Sequence, residues 1–472
     1  MKLYNSETRN IEEFIPNDEK QVTLYTCGPT VYHFAHIGNL RSYMMEDVLE
    51  KTLKYLGYNV KRVMNITDVG HLTGDSDTGE DKMLLGAERE HKTVMQIAEE
   101  YTQAFKKDCE KLNITWPEIV IPATSCIDEY FKIIQSLLDK NFAYISNGNV
   151  YFDTSKLKNY YRFGNQNNQD LVVGAREDVS EDVGKRNQND FVLWFTKSKF
   201  ENHALKWESP WGLGYPGWHI ECSGISHKYL GDKLDIHCGG VDNKFPHHTN
   251  EIAQTESYIG HKWCNYWFHV EHLNTTNGKM SKSSGEFLTV SLLESKGYNP
   301  LVYRFFCLQS HYRKQLVFSY LGLDSAKSAY EKLMSKVASL REDKMAIDKQ
   351  VFEKYNNQFK DSIGNDLNTS MAITTVFDVL KSDTNNSTKI ALLRNFEKVL
   401  GIGLVDALEG KNIEKTAQVD SQTKQHIEEM IEKRRQAKIN KDYLTADKIR
   451  QELLLIGVEL IDTKDGTQYK IK

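Results

Sequence analysis

The hydrophobic positions near the amino terminus follow a strand–helix–strand order. Residues 21–26 (QVTLYT) predict a short strand, and residues 60–66 predict a second one. Between them, apolar residues recur near helical spacing at Leu40, Met44, Val48, Leu53 and Leu56. A strand, a helix and a strand within about 45 residues form a βαβ unit, which predicts a parallel sheet with ligands at the carboxyl ends of its strands. The turn at 27–39 is therefore the first candidate for a ligand site.

This regular pattern breaks over about 116–200. One helix is predicted over 127–140, and a stretch rich in Asn, Gln, Asp and Gly covers 159–190. Strand-like runs return at 234–237 and 267–270. We therefore expect an insertion within the sheet domain, followed by the second half of the sheet.

The chain after residue 299 has the pattern of packed helices. One predicted helix carries an apolar stripe made of Leu321, Ala326, Ala329, Tyr330, Leu333, Val337 and Leu340. Further helices are predicted at 370–381 and 389–400. This region is therefore expected to be a helical bundle.

The end of the chain is predicted to be a small separate unit. A polar stretch over 409–422 is typical of a linker, and beyond it a basic helix over 426–455 precedes a short hairpin that ends at Ile471. The basic helix would suit nucleic-acid phosphates, although a solvated helix face explains the same charges.

Composition narrows the classes of protein that fit. The 472 residues include 60 Lys and Arg against 65 Asp and Glu, a formal charge of −5, and 7 Cys. No apolar run approaches the roughly 18 residues of a membrane span, and the first residues lack the regions of a signal peptide, so we expect a cytoplasmic protein with no membrane partner. The sparse cysteines are then reduced and available for chemistry. The overall charge does not exclude a local basic patch that binds nucleic acid.

Four residues could form a zinc site: Cys27, Cys222, His247 and Glu251. His247 and Glu251 are four positions apart and face the same way on a helix, while Cys27 follows the first predicted strand. Two thiolates, an imidazole and a carboxylate can complete a tetrahedral shell. Spacing alone favours the simpler interpretation, in which the cysteines are small core residues and the other two are ordinary surface groups.

Two further segments could bind phosphate. His33 and His36 lie just before a predicted helix, whose free N–H groups attract anions, and Gly38 allows close backbone approach. The loop GKMSKSSGEF at 278–287 carries Lys279 and Lys282, which could deliver positive charge to a triphosphate. Packed histidines and a solvated Lys/Ser loop are the alternatives.

In combination these segments resemble a known family. HIGN at 36–39 followed by KMSKS at 279–283 resembles the paired signatures of class I aminoacyl-tRNA synthetases. The segments TCGPTVYHFAHIGN, PWGLGYPGWHIECS, FPHHTNEIAQ and KRRQAKINKDYLTADKIRQEL are similar to the cysteinyl-tRNA synthetase family, and the resemblance covers nearly the whole chain.

The resemblance implies roles for individual residues. The family's zinc ligands match Cys27, Cys222, His247 and Glu251. The residues implied for the substrate cysteine are Thr67 and Trp218, with His219 beside them. Those implied for ATP are His33, His36, Gly38, Asn39, Lys279 and Lys282. Those implied for tRNA are Lys433, Arg434, Arg435, Lys438 and Lys441.

The implied fold is α/β: a Rossmann-type, doubly wound parallel-sheet catalytic domain with an insertion, then an α-helical bundle and a small C-terminal α+β unit. The catalytic domain would comprise 1–118 and 200–298, and the connective insertion 119–199. The stem-contact region and bundle would cover 299–408, and the anticodon-binding unit 421–472.

The resemblance also implies the reaction and its participants. L-Cysteine would be activated by ATP with Mg²⁺ to cysteinyl adenylate and pyrophosphate, and then transferred to the 3′ end of tRNA(Cys), with one Zn²⁺ per chain selecting the substrate thiolate. A monomer is expected.

Four positions depart from the family pattern: Asn39 replaces histidine, Tyr215 arginine, Glu286 asparagine and Cys238 glycine. Cys238 adds a thiol near the end of a strand that is predicted to bind the nucleotide. One interpretation is that this thiol is oxidised or binds a stray metal ion; the simpler one is that it is a tolerated small residue.

Two other functions stay open at this point. A cysteine ligase of the mycothiol-pathway type would share the catalytic half but lack the tRNA-binding end. An inactive tRNA-binding paralogue would not need intact signatures and all four candidate ligands.

Overall fold

The computed structural model describes most of the chain. The described residues are 1–70, 83–84, 87, 92–163, 184–197, 205–275, 278–279, 287–411, 430–438, 442, 445–447, 449–450, 453, 458–463 and 466–471.

Among the described residues before residue 200, the strands belong to three different sheets, and three helices are longer than ten residues. In chain order the elements of this part are β1 (Lys2–Asn5), β2 (Asn10–Glu13), β3 (Val22–Thr26), α1 (Ile37–Tyr55), β4 (Val60–Ile66), α2 (Val94–Lys111), β5 (Ile119–Pro122), α3 (Ile127–Asp139), β6 (Ala143–Ser146), β7 (Asn149–Phe152) and β8 (Phe191–Phe195).

The following part returns to the first sheet and then becomes helical. Its elements up to the bundle are β9 (Tyr215–Pro216), α4 (Trp218–Leu230), β10 (Leu234–Gly240), α5 (His247–Ile259), β11 (Cys264–Val270), β12 (Leu273–Thr275), β13 (Gly278–Lys279), α6 (Val290–Ser295), α7 (Pro300–Leu308) and β14 (Leu316–Phe318). Those of the bundle and the end of the chain are α8 (Tyr320–Ala338), α9 (Lys349–Gly364), α10 (Thr369–Lys381), α11 (Asn386–Leu400), α12 (Leu404–Leu408), β15 (Val458–Thr463) and β16 (Gly466–Ile471).

The central sheet confirms the predicted parallel βαβ unit. Its strand order is β11-β10-β3-β4-β5, and each neighbouring pair is parallel. Strands β3 and β10 are neighbours at the middle of the sheet. From β3 the chain continues outward to β4 and β5 on one side, and from β10 it continues outward to β11 on the other, so the strand order reverses between β3 and β10. Open α/β sheets bind ligands at such a switch point, outside the carboxyl ends of the strands. The core is therefore Rossmann-like, and its ligand site is expected where β3 and β10 end.

Three strands of the predicted insertion belong to a second sheet. Strands β6, β7, β8 and β9 form an antiparallel sheet in that order, with α3 packed nearby. Of these, β9 lies beyond the predicted end of the insertion at residue 199, whereas β5, within its predicted bounds, belongs to the central sheet. Most of the polar stretch predicted over 159–190 lies outside the described residues. The domain boundaries themselves remain predictions.

The structure has the predicted helical bundle, but one residue that the sequence assigned to the buried apolar stripe of α8 is exposed. The side chain stripe of α8 buries Leu323, Ala326, Tyr330, Leu333, Met334 and Val337. Leu321, assigned to this stripe from the sequence, is 78% exposed. It lies in the first turn, where Leu323 takes the inward position, and Leu340 lies beyond the end of the helix. Helix α9 was not predicted, because only Phe359 and Ile363 of its side chains are fully buried.

The C-terminal unit contains the predicted hairpin but not one continuous basic helix. Strands β15 and β16 pair antiparallel. Residues 430–438 are helical, whereas Asp442 is not, and its side chain accepts a hydrogen bond of 3.1 Å from the Thr445 backbone N–H. An aspartate that accepts from the N–H three residues on is the pattern of a helix N-cap, so a second helical segment starts here. Residues 412–422 of the predicted linker lie outside the described part of the chain.

A buried arginine joins the parallel-sheet core to the bundle. The Arg304 side chain donates to the carbonyl oxygens of Leu400 at 2.6 Å and Leu112 at 2.8 Å, which lie at the ends of α11 and α2. It also pairs with the buried Asp47 carboxylate of α1 at 2.8 Å. One guanidinium thus satisfies two helix ends and one carboxylate, and fixes α1 relative to the bundle.

We predict that Arg304→Met lowers the free energy of unfolding by about 3–5 kcal/mol, since it leaves a buried carboxylate and two carbonyls with fewer partners. Urea unfolding followed by circular dichroism measures this. Lys411→Met, which removes the exposed pair with Glu409 at 2.7 Å, is the control and should cost less than about 1 kcal/mol. Equal effects of both variants would contradict the assignment.

Candidate active site and metal centre

A cleft opens at the switch point between β3 and β10. Its volume is about 240 Å³, and it is bounded by the ends of β3, β4 and β10 and by the starts of α1, α4 and α5. The residues predicted from the sequence that line it are Cys27, His36, Gly38, Asn39, Thr67, Trp218, Cys222 and His247. Residues far apart in the chain therefore meet in one cavity.

The first turn of α1 forms one wall of this cleft. His36 is the N-cap, and its Nδ1 accepts a hydrogen bond of 3.1 Å from the Asn39 backbone N–H. The backbone N–H of Ile37, the first residue of α1, donates to the carbonyl of Leu288 at 2.9 Å. This bond ties the chain that follows the KMSKS segment to a helix N-terminus, a position that favours anions.

His33 has a different place from His36. Its ring stacks on Tyr101 at 5.9 Å between centroids and meets the edge of Phe287 at 4.7 Å. It is not among the residues that line the cleft in the part of the chain that the structure describes.

The four predicted zinc ligands converge below the cleft. Their ligand atoms all lie within 4.8 Å of one another, and all four residues are buried. The Sγ atoms of Cys27 and Cys222 are 3.7 Å apart, and His247 Nε2 lies 3.0 Å from Glu251 Oε1. Cys27 follows β3, Cys222 is on α4, and the other two occupy the first turns of α5.

The donor chemistry of this cluster fits a zinc ion. Burial and the neighbouring Cys222 thiol raise the pKa of the Cys27 thiol well above its ordinary value, so two thiolates here would be costly without a cation. Two sulfurs, one imidazole nitrogen and one carboxylate oxygen form a set that binds Zn²⁺ tetrahedrally. The interpretation of these residues as unrelated core and surface groups does not account for their convergence.

A second group of candidate ligands was missed by sequence reasoning. Cys27, His237, His248 and Glu251 also lie close enough to hold a metal ion. His237 Nε2 is 2.8 Å from Glu251 Oε2, and His248 Nε2 is 3.4 Å from Cys27 Sγ. Burial lowers the pKa of His248, so this imidazole is neutral and can orient the shared ligands. His237 could have been found from its place near the carboxyl end of a predicted strand.

The amino-acid pocket predicted from the resemblance is placed only in part. Trp218 lines the cleft, with its ring 4.3 Å from that of His247, and Thr67 lines it as well. His219 is buried, and its Nδ1 lies 2.9 Å from His247 Nδ1. It does not line the cleft among the described residues, because neighbouring positions of a helix point in different directions. His219 therefore supports His247 and does not form a wall of the pocket.

Several other predicted residues can be placed only partly. Lys279 is the last residue of β13, paired with Asn274, and Lys282 and Lys441 lie outside the described residues, as does Glu286.

Two of the departures from the family pattern have clear surroundings. Tyr215 is buried and stacks on Phe195 with centroids 4.8 Å apart. Cys238 is 0% exposed in β10, and burial raises the pKa of its thiol, so the setting favours an inert core residue over an oxidation site.

The basic residues of the C-terminal unit do not share one face. Lys433, Arg435 and Lys438 are exposed, and Arg435 pairs with Glu432 at 2.7 Å. Arg434 is only 3% exposed. We therefore do not retain Arg434 as a surface phosphate contact, since its position on the helix turns it toward the unit's own core.

Comparisons with known proteins agree with this fold. A sequence model described as the tRNA synthetases class I (C) catalytic domain matches residues 13–328. A solved methionyl-tRNA synthetase of Mycobacterium tuberculosis, in complex with methionyl-adenylate, is similar with a TM-score of 0.52 and 14% identity, over 84% of this chain and 93% of that one. This likeness concerns the fold.

The comparison with full-length relatives indicates a more specific family than the domain match does. A cysteine–tRNA ligase of Treponema denticola is 45% identical over 492 aligned positions, which cover 100% of this chain and 99% of the relative. One from Borrelia hermsii is 42% identical over 483 positions, with the same coverage.

The parallel sheet, the cleft at its switch point and the matching domain define a class I aminoacyl-tRNA synthetase, an enzyme of the aminoacyl-tRNA ligase class. Together with the full-length relatives they show that the chain belongs to the cysteinyl-tRNA synthetase family. Among the described helices, none has the length and apolar character needed to cross a membrane.

One buried carboxyl group in the cleft has an unusual setting. Glu46 lies on α1 and lines the cavity, and desolvation raises the pKa of its side chain to about 8, opposed by Arg62 at 3.7 Å and by a hydrogen bond with Thr26. The folded protein therefore holds this proton more tightly than the unfolded chain does. Above the ordinary pKa of 4.5 the unfolded chain releases the proton first, so the folded state loses stability as the pH rises toward about 8.

We predict that Glu46→Gln removes this loss. The free energy of unfolding of the variant, relative to the native protein, should increase between about pH 5 and pH 8 and then level off. Urea titrations at several pH values measure the difference, with the exposed Glu118→Gln as control. Parallel pH curves for Glu46→Gln and the native protein would show that Glu46 keeps an ordinary pKa.

Proposed function

We propose that this protein ligates L-cysteine to the 3′ end of tRNA(Cys) in two steps. The cysteine carboxylate attacks the α-phosphate of ATP, giving cysteinyl adenylate and pyrophosphate. The terminal ribose hydroxyl of the tRNA then attacks the adenylate carbonyl and releases AMP. The single observation that carries this proposal is the buried cluster of Cys27, Cys222, His247 and Glu251 next to the N-terminus of α1.

The main chemical difficulty is to distinguish cysteine from serine. A pocket that relies on shape rejects a near-isostere by about 1–3 kcal/mol, whereas an error rate of one in ten thousand needs roughly 5.5 kcal/mol. When bound to the four clustered side chains, Zn²⁺ supplies a soft acceptor that prefers sulfur to a hydroxyl oxygen. The cluster lies on the floor of the cleft, where a short side chain of a bound amino acid would meet it.

The protein does not need a nucleophile of its own for the first step, because the substrate carboxylate attacks. Its residues align the reactants and stabilise charge. The N-terminus of α1, with His36, Gly38 and Asn39, forms the phosphate wall, while His33 supports it through Phe287. Lys279 and Lys282 are assigned to the leaving pyrophosphate, with Mg²⁺ accompanying ATP.

The amino acid itself would be held by the walls of the cleft. Trp218 covers one side of the pocket, and the Thr67 hydroxyl offers a polar contact. His219 keeps His247 in place through the contact between their ring nitrogens.

Transfer RNA is proposed to bind along the helical bundle and the C-terminal unit. The exposed Lys433, Arg435 and Lys438, together with Lys441, would contact phosphates and position the anticodon bases for recognition by stacking and edge hydrogen bonds. The full-length match to the relatives includes this unit, which a ligase acting on an amino sugar would not need. The convergence of all four candidate ligands likewise favours an active enzyme over an inactive paralogue.

We predict that Cys222→Ser loses most of its bound zinc and at least about 100-fold of its cysteine-dependent pyrophosphate exchange, since even outer contacts of a metal ligand are worth 10–100-fold. Zinc is measured by mass spectrometry and exchange by transfer of labelled pyrophosphate into ATP. Cys126→Ser changes a buried cysteine outside the cluster and is the matched control. A Cys222→Ser protein with normal zinc and normal exchange would refute the proposed role of the cluster.

We predict that a chain ending after Lys411 keeps cysteine-dependent pyrophosphate exchange but loses at least about tenfold in kcat/KM for tRNA charging, because contacts to tRNA phosphates are lost while the cleft is intact. Both rates are measured on the same preparation. Losses of equal size in the two assays would argue against a tRNA-binding role of the C-terminal unit.

A further inference from the structure

Asn65 occupies a central place in the cleft that the function described so far does not use. It lies near the carboxyl end of β4, is 1% exposed, and lines the same cavity as Thr67 and Trp218. Its side chain amide contacts both the backbone beside Cys27 and the Thr67 side chain of the amino-acid pocket.

The orientation of the Asn65 amide is fixed by its partners. Its Oδ1 accepts from the Gly28 backbone N–H at 2.7 Å and from the Tyr25 hydroxyl at 3.2 Å. A backbone N–H can only donate, so the oxygen must face Gly28. A tyrosine hydroxyl is able to donate as well, so the contact with Tyr25 agrees with this orientation. The amide nitrogen has to point the other way.

The nitrogen side of the amide determines how Thr67 can bond. Asn65 Nδ2 donates to Thr67 Oγ1 at 3.0 Å, which occupies one lone pair of the hydroxyl. The backbone of Thr67 is held separately, with its N–H bonded to the Pro29 carbonyl at 3.1 Å and its own carbonyl accepting from Val31 at 3.3 Å. The backbone bonds of Thr67 therefore leave the direction of its side chain O–H bond undetermined.

Thr67 lies at the wall of the cavity. Within the described part of the chain, Thr67 Oγ1 donates to no acceptor in the hydrogen-bond pattern, and the residue lines the cleft while being 2% exposed. A buried hydroxyl donor without an acceptor costs free energy unless a ligand supplies one. The Asn65 amide oxygen also lies 3.7 Å from Cys222 Sγ, so one side chain fixes both the polar wall and the edge of the sulfur cluster.

We propose that Asn65 is a positioning residue that sets the hydrogen-bond direction of Thr67, so that the Thr67 hydroxyl donates to an acceptor atom of the bound amino acid, its carboxylate oxygen or its sulfur. This inference rests on the proposed function, because it takes the occupant of the cleft to be L-cysteine. Asn65 acts through Thr67 and does not take part in the chemical step.

Asn65→Asp tests the direction of the bond with almost no change of shape. The introduced carboxylate has no donor, so Thr67 must turn its proton toward that carboxylate and away from the ligand. We expect the Kd for L-cysteine, measured by calorimetry, and the KM for cysteine in pyrophosphate exchange to rise at least about tenfold, the value of one hydrogen bond of about 1.4 kcal/mol. The KM for ATP, the zinc content and the circular dichroism spectrum should stay unchanged.

A double-mutant cycle separates this role from simple charge repulsion by the new carboxylate. In a Thr67→Val background the hydroxyl is absent, so Asn65→Asp should add less than about threefold to the loss already caused by Thr67→Val. Thr67→Ser keeps the hydroxyl and should retain the affinity for cysteine. Tyr25→Phe removes one donor to Oδ1 but leaves the Gly28 N–H in place, and should also change the Kd for cysteine by less than about threefold.

Three results would overturn the inference while leaving the proposed function intact. These are an unchanged Kd in Asn65→Asp, multiplicative losses in the double variant, or loss of zinc from Asn65→Asp, which would mean that Asn65 acts through the metal cluster. If Asn65→Asp does not fold, Asn65→Ala removes the same donor and should raise the Kd only when Thr67 is present. A native protein that binds neither zinc nor cysteine would instead overturn the proposed function, and this inference with it.

Discussion

The convergence of two thiols, an imidazole and a carboxylate in a buried space is the constraint on which the rest of the structure depends. Four such groups within 4.8 Å of one another are costly to desolvate unless a cation compensates them. Their positions come from three separate elements of the fold: the end of β3, the second turn of α4, and two successive turns of α5. The parallel pairing of β3 with β10 brings these parts together.

The surrounding architecture holds this cluster near the N-terminus of α1, for which we propose phosphate binding. Arg41 of α1 donates to the carbonyls of Glu271 at 2.5 Å and His272 at 2.8 Å, so the helix is bonded directly to the segment that forms the far wall of the cleft. Arg304 then fixes the same helix to the bundle. The sulfur cluster and the helix N-terminus therefore keep a constant separation, as activation of a small amino acid by ATP requires.

Hydrophobic periodicity predicted α1 and four of the five central strands, all but β5. The four clustered residues came from the family resemblance, because their spacing alone favoured unrelated core and surface groups. The sequence did not predict that His219 would lie behind His247, that Arg434 would be buried, or that His237, His248 and Asn65 would complete the site. Which of two neighbouring residues on a helix faces a cavity depends on how the helix is rotated against its neighbours, and this rotation is set by packing between segments distant in the chain. The exposed Leu321 is a further example, since its apolar side chain fits the helical stripe by spacing alone.

X-ray absorption at the zinc edge, recorded on the native protein with and without L-cysteine, tests the central claim most directly. Since Cys27 and Cys222 are the cluster's two thiols, the account predicts two sulfur neighbours of zinc in the free protein and three when L-cysteine is present, with no change on adding L-serine. An unchanged sulfur count with saturating cysteine, or the absence of zinc from the native protein, would contradict it.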